Sequence, residues 1–136
     1  MKLFSPPGRS SRAFTLLEMT IVIMVLISLI GLGLFTSRKM DEWKLGRQAS
    51  ETLRVVYSAQ RMYLADNPTT LVGNLTAALI LPYMPGTPTA MPTVKSMANT
   101  NLAIKVNVSP PVILANAVDT YDPSGSNRDS LWDVGE

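Results

Sequence analysis

The chain has 136 residues and contains neither cysteine nor histidine. Without cysteine it can form no disulfide, and no thiol is available as a nucleophile or metal ligand. Without histidine it lacks the commonest general base and the commonest transition-metal ligand, which leaves carboxylates, lysines, tyrosines and hydroxyls for any chemistry. The sequence therefore predicts a protein that is not an enzyme.

Two further absences divide the chain. Residues 1–13 contain no acidic residue but carry Lys2, Arg9 and Arg12. No proline occurs between Pro7 and Pro68, whereas eight of the ten prolines fall from Pro68 onward. Because proline interrupts helices and favours turns, we expect a long helix before residue 67 and a turn-rich segment after it.

A long apolar run follows the basic segment. Residues 14–35 contain a single ionisable side chain, Glu18, and about 20 apolar residues are enough for a helix to cross a bilayer. The run is longer than the 7–15 residues typical of an ordinary secretory signal peptide, which is the competing interpretation. Three cations ahead of the run predict a cytoplasmic N-terminus and a single span.

Charge argues against nucleic acid as a partner. The whole chain has 12 basic and 10 acidic residues, but from Phe14 onward there are nine and ten, a net charge of −1. The last eighteen residues hold five acids against Arg128 alone, a net of −4. No extended basic patch remains to follow a phosphate backbone.

Beyond the apolar run, residues 36–66 predict an amphipathic helix. Apolar and small residues recur at steps of three and four, which predicts one face that docks on the rest of the chain. The 70 residues from 67 to 136 are too few for a well-buried independent core, so we expect them to pack on this face as a small head. The predicted docking positions are Met40, Trp43, Gly46, Ala49, Ser50, Leu53, Val56, Tyr57 and Leu64.

Within the head, residues 71–81 predict a short helix, and the alternating residues 101–108 predict a strand. Residues 112–121 predict a second strand, and residues 131–134 a short third one. The predicted fold class is therefore α+β, with a long N-terminal helix packed on a small antiparallel β head.

The segment Arg12-Ala13-Phe14-Thr15-Leu16-Leu17-Glu18, followed by a long apolar helix, resembles the type IV prepilin signature. In that family a prepilin peptidase cuts before a residue that is usually phenylalanine, methylates the new amine and leaves glutamate as the fifth mature residue. The resemblance implies cleavage between Ala13 and Phe14, N-methylation of Phe14 and an assembly role for Glu18. The family prefers glycine before the cut, where this chain has Ala13.

The resemblance implies a pilin-like fold, and it divides the chain into a leader (1–13), a membrane-spanning half-helix (14–35), an amphipathic half-helix (36–66) and a head (67–136). An acid in a spanning helix is costly and usually marks function. We therefore expect Glu18 to pair with the Phe14 amine of a neighbouring subunit; the alternative is a glutamate that merely sits at the headgroup boundary.

Major pseudopilins of type II secretion carry a calcium site in a C-terminal loop, and the acidic tail here invites the same hypothesis. Clustered carboxylates suit calcium, and the candidate ligands are Asp119, Asp122, Asp129 and Asp133. The alternative is a solvated acidic loop, because the spacing matches no EF-hand and residues 121–125 are typical of a plain turn.

We expect a structural subunit of a type II secretion pseudopilus, held in the bacterial inner membrane before assembly with its head in the periplasm. Its expected partners are other pilin or pseudopilin subunits, the prepilin peptidase, the inner-membrane assembly platform and membrane lipid. The alternatives are a type IV pilus or competence pilin and, from another class, a single-pass membrane-anchored binding protein.

Overall fold

The computed structural model describes residues 14–135, so the predicted leader, including Ala13, and the terminal Glu136 lie outside the described residues. Its dominant element is one helix, α1, at Leu16–Asp66. The uninterrupted helix predicted from the absence of proline is confirmed. Two compact units divide the chain, one ending at Arg38 and the other beginning at Lys39.

In the first unit, α1 is long and apolar enough to cross a membrane, and no residue of its apolar window is buried. The hydroxyls in this segment donate to carbonyls three or four residues earlier in the helix. This arrangement satisfies each hydroxyl without solvent, as a bilayer requires. The residues concerned are Thr20, Ser28, Thr36 and Ser37.

In the second unit, α1 is amphipathic. Its buried face packs against the head, whose core also contains Ile80, Val94, Ile104 and Ile113. The prediction of a docking face is confirmed at most positions but wrong at Met40 and Trp43, whose side chains are 53% and 52% exposed. The buried α1 residues are Gly46, Ala49, Ser50, Leu53, Val56, Ala59 and Gln60.

The head contains short elements. Two single turns of 3₁₀ helix, Val72–Asn74 and Leu81–Tyr83, flank the helix α2 at Ala77–Ile80, where a short helix over 71–81 was predicted. Strand β1 (Val94–Lys95) pairs antiparallel with β2 (Asn101–Leu102), and β3 (Ile104–Lys105) pairs antiparallel with β4 (Val112–Ile113). The long helix and a small antiparallel β region agree with the predicted α+β class.

Gln60 explains why the predicted strand over 101–108 ends at Lys105. This glutamine is fully buried on α1, and its Nε2 donates to the carbonyl oxygens of Val106 and Val108, each at 2.8 Å. Those carbonyls therefore bond to a side chain instead of a neighbouring strand. The prediction of one continuous strand is wrong, because β2 and β3 pair with different partners.

The other two predicted strands also differ from the structure. The segment 112–121 is strand only at β4, with one isolated bridge between Leu114 and Thr120, because Asn116 accepts backbone N–H groups in a turn between them. The segment 131–134 is not a strand. Trp132 has φ of +59°, in the left-handed region, and its N–H donates to the Gly46 carbonyl of α1, so strand pairing is impossible there.

Replacing Gln60 with leucine is expected to lower the free energy of unfolding by about 1–3 kcal/mol, because the Val106 and Val108 carbonyls would lose their donor. Urea unfolding of the full chain in detergent, followed by near-ultraviolet circular dichroism, measures this change. Gln48→Leu, at an exposed position of the same helix, is the matched control. Equal stability of the two variants would show that water replaces the lost donor.

Candidate functional site

The start of α1 is built by a side-chain cap. The N–H of Glu18 donates to Thr15 Oγ1 at 3.2 Å, so Thr15 satisfies one of the free N–H groups of the first turn. Phe14 precedes the helix and is 70% exposed. The predicted mature N-terminus would therefore lie directly ahead of a helix whose first turn is already capped.

Glu18 is the acidic residue of that first turn, and its side chain is exposed. The positive end of the helix dipole favours a carboxylate there by about 0.3–1 kcal/mol. That local stabilisation is smaller than the cost of a charge at the centre of a bilayer, about 2.5–3.5 kcal/mol. A partner on another molecule would remove the remaining cost if Glu18 enters an apolar environment.

The apolar surface around this position is large. Every residue from Leu16 to Phe35 is exposed, including large side chains such as Leu16 at 84% and Met24 at 73%. Monomeric proteins rarely expose contiguous apolar patches of this extent. The surface therefore requires lipid, detergent or another protein as its cover.

A second site is an oxygen cluster in the C-terminal loop. The hydroxyl oxygen of Ser124 lies 2.7 Å from Asp122 Oδ1 and 3.2 Å from Asp129 Oδ1. The carbonyl oxygens of Ser126 and Leu131 lie 3.4 and 3.5 Å from it. A hydroxyl has one proton, so it serves one of these four acceptors well. Asp122 Oδ1 also accepts from the N–H groups of Ser124 and Gly125, and Asp129 Oδ1 accepts from that of Leu131.

Asp133 is a further carboxylate that interacts with the charges of this cluster. Both of its carboxylate oxygens are shielded from solvent and have no hydrogen-bond partner of good geometry among residues 14–135. Burial raises the pKa of Asp133, and the charges of Asp122 and Asp129 raise it further. The Gly135 backbone and the Arg54 charge act in the opposite direction without restoring the ordinary pKa.

The four predicted calcium ligands are not all brought together. Asp119 lies in the turn before Thr120, where its Oδ2 accepts from Asn116 Nδ2 at 2.8 Å, whereas Asp122 and Asp129 meet at Ser124. Within residues 14–135, no group of three acidic side chains is arranged to hold a metal ion. The groups that fit calcium are instead mixed: carboxylates, a hydroxyl and carbonyls, which are the oxygen ligands that this cation takes.

Three residues that position these parts of the structure were not predicted from the sequence. Gln60 and Trp132 form hydrogen bonds between the head and α1. Ser124 lies at the centre of the oxygen cluster. The burial of Gln60 could have been predicted, because this polar residue continues the spacing of Leu53 and Val56. Ser124 and Trp132 are placed by loop geometry that no periodic pattern encodes.

Comparisons of the chain with protein-family models, with curated proteins and with solved structures found no match.

Proposed function

We propose that this chain is a pilin-like structural subunit, a pseudopilin of a type II secretion pseudopilus. Prepilin peptidase cuts it between Ala13 and Phe14, and it assembles into a filament through α1. The observation that carries the proposal is an unbroken helix whose exposed apolar half contains one ionisable side chain, Glu18, directly after the prepilin-like cleavage segment.

During assembly, the apolar surface of α1 loses its contacts with lipid and gains contacts with neighbouring subunits. In the membrane, lipid covers the residues from Leu16 to Phe35; in the filament, the same residues of neighbouring subunits cover one another. Because lipid tails and apolar side chains are similar in polarity, this exchange gives little net hydrophobic free energy. Extraction therefore needs work from an assembly motor, and orientation must come from polar groups.

Glu18 and the Phe14 amine supply that orientation. Cleavage creates a cation four residues before Glu18, and in the filament an incoming amine pairs with the glutamate of a neighbour. An isolated charge in an apolar environment is strongly unfavourable, while a close opposite pair is much less so. Only the register that pairs them removes both penalties.

Intact-mass measurement and N-terminal sequencing of the protein from its native membrane, with and without prepilin peptidase, test the proposal. We expect a chain beginning at methylated Phe14 only when the peptidase is present. A chain beginning at Met1 in both samples would favour the membrane-anchored binding protein. A chain trimmed near Ser37 would indicate a secreted domain released from a signal peptide.

A type IV pilus or competence pilin is the alternative within the class, since it would share all of α1. The oxygen cluster around Ser124 favours the pseudopilin, because a calcium loop is the feature that the resemblance assigns to major pseudopilins. Asp122 and Asp129, with the hydroxyl of Ser124 and the carbonyls of Ser126 and Leu131, would hold the ion, and the nearby charge of Asp133 would add to the attraction. Bound calcium would supply the positive charge that these oxygens lack.

Calcium is expected to raise the thermal midpoint of the head, and Asp133→Asn is expected to reduce that effect, because a negative charge near the ion is lost. A raised pKa in the folded state means that protonation favours folding, so the ionised Asp133 costs stability as the pH rises through its folded-state pKa. Without calcium at neutral pH, Asp133→Asn should therefore be more stable than the natural chain. With calcium, the order should reverse.

Thermal unfolding of both full chains in detergent, with calcium or a chelator, measures this exchange. Asp119→Asn is the matched control, because Asp119 lies outside the Ser124 cluster. An identical response to calcium in all three chains would contradict the calcium prediction and leave a solvated acidic loop.

A further inference from the structure

The exposed side of α1 in the second unit carries an arginine every seven residues. Seven residues are close to two helical turns, so these side chains lie along one face. All of them are exposed, as are the residues between them on the same face. We call this surface the arginine face; it consists of Arg47, Glu51, Arg54, Ser58, Arg61 and Ala65.

Two of these arginines are held by an aromatic ring one turn earlier. The guanidinium carbon of Arg47 lies 5.7 Å from the centroid of the Trp43 ring, and that of Arg61 lies 5.8 Å from the Tyr57 ring. Stacking on a ring leaves the N–H edge of a guanidinium free to bind a carboxylate with two hydrogen bonds. Both groups are therefore preorganised to bind an anion.

No such anion is supplied from within residues 14–135. The ion pairs found there are Lys39 with Glu42 and Lys44 with Asp41. Arg54 Nη2 donates to the neutral hydroxyl of Ser130 at 3.3 Å. The arginine face thus carries three guanidinium groups and one carboxylate, Glu51, and none of its arginines forms an ion pair with another described residue.

The complementary charge lies on the head. The helix segment 39–61 has five basic and three acidic residues, a net of +2, while residues 119–136 have one basic and five acidic residues, a net of −4. Asp119 is exposed, and its neighbour Val118 is 82% exposed. Among the described acids of this segment, Asp119 is the one that stands apart from the Ser124 cluster, so calcium would not compete for it.

We propose that the arginine face of one copy binds the Asp119 turn of a second copy, with Arg61 as the partner of Asp119. This inference rests on the proposed function, since it assigns the contact between neighbouring heads. The contact joins two different surfaces of one chain, which is compatible with a two-fold dimer or with a heterologous repeat. The proposed filament requires the heterologous repeat, in which each copy binds the next without closing.

A bilayer is a less suitable occupant. Arg61 lies 26 residues beyond Phe35 in α1, farther along the chain than the roughly 20 residues that cross an entire hydrocarbon core. The apolar Val118 beside Asp119 also has no role in a headgroup contact, whereas it can pack on the aromatic ring that supports an arginine. The charge and the apolar surface together favour a protein partner.

Cross-linking of the full chain in membranes tests this contact. Since the chain has no cysteine, introduced thiols are the only ones present. In the double variant Ser58→Cys/Val118→Cys, a heterologous contact joins residue 58 of each copy to residue 118 of the next. A short bis-maleimide is expected to give a ladder of dimers, trimers and larger species, whereas each single variant gives dimers at most.

Charge reversal tests whether the cross-links depend on the pair of Arg61 and Asp119. In that double-cysteine chain, Arg61→Glu is expected to reduce the ladder about fivefold or more, because attraction of an exposed pair becomes repulsion. Adding Asp119→Arg to Arg61→Glu should restore it. Lys95→Glu, the same charge change at an exposed position outside the arginine face, should leave the ladder unchanged.

The N-terminus of each sample is sequenced in parallel, which separates the two proposals. Two results with normal processing at Phe14 would overturn the contact and leave the proposed function standing. One is a ladder that Arg61→Glu does not reduce. The other is cross-linking of residue 58 only to residue 58. An unprocessed chain overturns the proposed function, and a charge-dependent ladder from it would still support the contact. Loss of binding to anionic phospholipid vesicles in Arg61→Glu, with an unchanged ladder, would overturn the contact in favour of the membrane.

Discussion

Replacing Glu18 with alanine or glutamine is expected to abolish filament assembly while leaving membrane insertion and cleavage before Phe14 intact. In the proposed filament, the variant leaves the Phe14 amine of a neighbour without its carboxylate. Breaking one partner of a buried ion pair costs about 3–5 kcal/mol, which is more than a hundredfold in an association equilibrium. Filament yield measured by sedimentation and electron microscopy, alongside N-terminal sequencing, checks the expectation.

The glutamine variant separates charge from shape. Glu18→Gln keeps the size of the side chain and one acceptor oxygen but removes its charge, so its failure would favour ion pairing over shape. Asp41→Ala, which removes an exposed acid of α1 beyond the apolar run, is the matched control and should assemble normally. A normal filament yield in Glu18→Ala chains that begin at methylated Phe14 would show that the Glu18 side chain acts only on the first turn of its own helix.

A purely local role for Glu18 predicts a much smaller effect. The first turn already has the Thr15 cap, and loss of a favourable charge at a helix N-terminus costs about 0.3–1 kcal/mol. A helix of 51 residues would not unfold for this reason. Complete loss of assembly with normal insertion is therefore outside what capping alone explains.

The parts of the fold that follow a periodic pattern of residues could be predicted from the sequence. A long stretch without proline, an apolar run and spacing of three and four residues were sufficient for α1 and for most of its buried face. Trp43 was placed wrongly on that face, because an aromatic ring also suits an exposed position when an arginine one turn later stacks on it. Side-chain pairing of this kind leaves no periodic signal.

The head was less predictable because single side chains decide its backbone. Alternation over residues 101–108 correctly indicated strand at Asn101–Leu102 and Ile104–Lys105, but the Gln60 amide binds the carbonyls that a longer strand would need. Residues 131–134 have the composition of a strand, yet Ser130 and Trp132 both adopt positive φ. Contacts across more than 70 residues of sequence, as between Arg54 and Ser130, cannot be read from local pattern.

Trp132 is expected to be the most important single side chain for the stability of the head. It is 4% exposed, its Nε1 donates to the Lys95 carbonyl at 3.0 Å, and its backbone N–H donates to Gly46 of α1. Truncation of a buried tryptophan typically costs about 3–5 kcal/mol. We expect Trp132→Ala to lower the free energy of unfolding by that amount, and the exposed control Trp43→Ala by less than about 1 kcal/mol.

Glycine at position 132 tests the backbone separately. Trp132 has φ of +59°, where a side chain costs about 1–2 kcal/mol that glycine avoids. Trp132→Gly should therefore be more stable than Trp132→Ala by about 1 kcal/mol, the reverse of the order at most structured positions. An alanine variant at least as stable as the glycine variant would contradict the left-handed conformation.

Gly46 should show the same contact from the helix side. A Cβ at this position would lie 2.8 Å from Cζ3 of the Trp132 ring, so Gly46→Ala forces that ring to move and should cost about 1–3 kcal/mol. In the Trp132→Ala background the ring is gone, and the greater helix propensity of alanine, about 1 kcal/mol, offsets the remaining contact with Leu131. Urea unfolding of the two single variants and the double variant should therefore show strong non-additivity. Additive effects would mean that Gly46 and Trp132 act independently, and that the C-terminal segment is held on α1 by the Gln60 and Arg54 contacts instead.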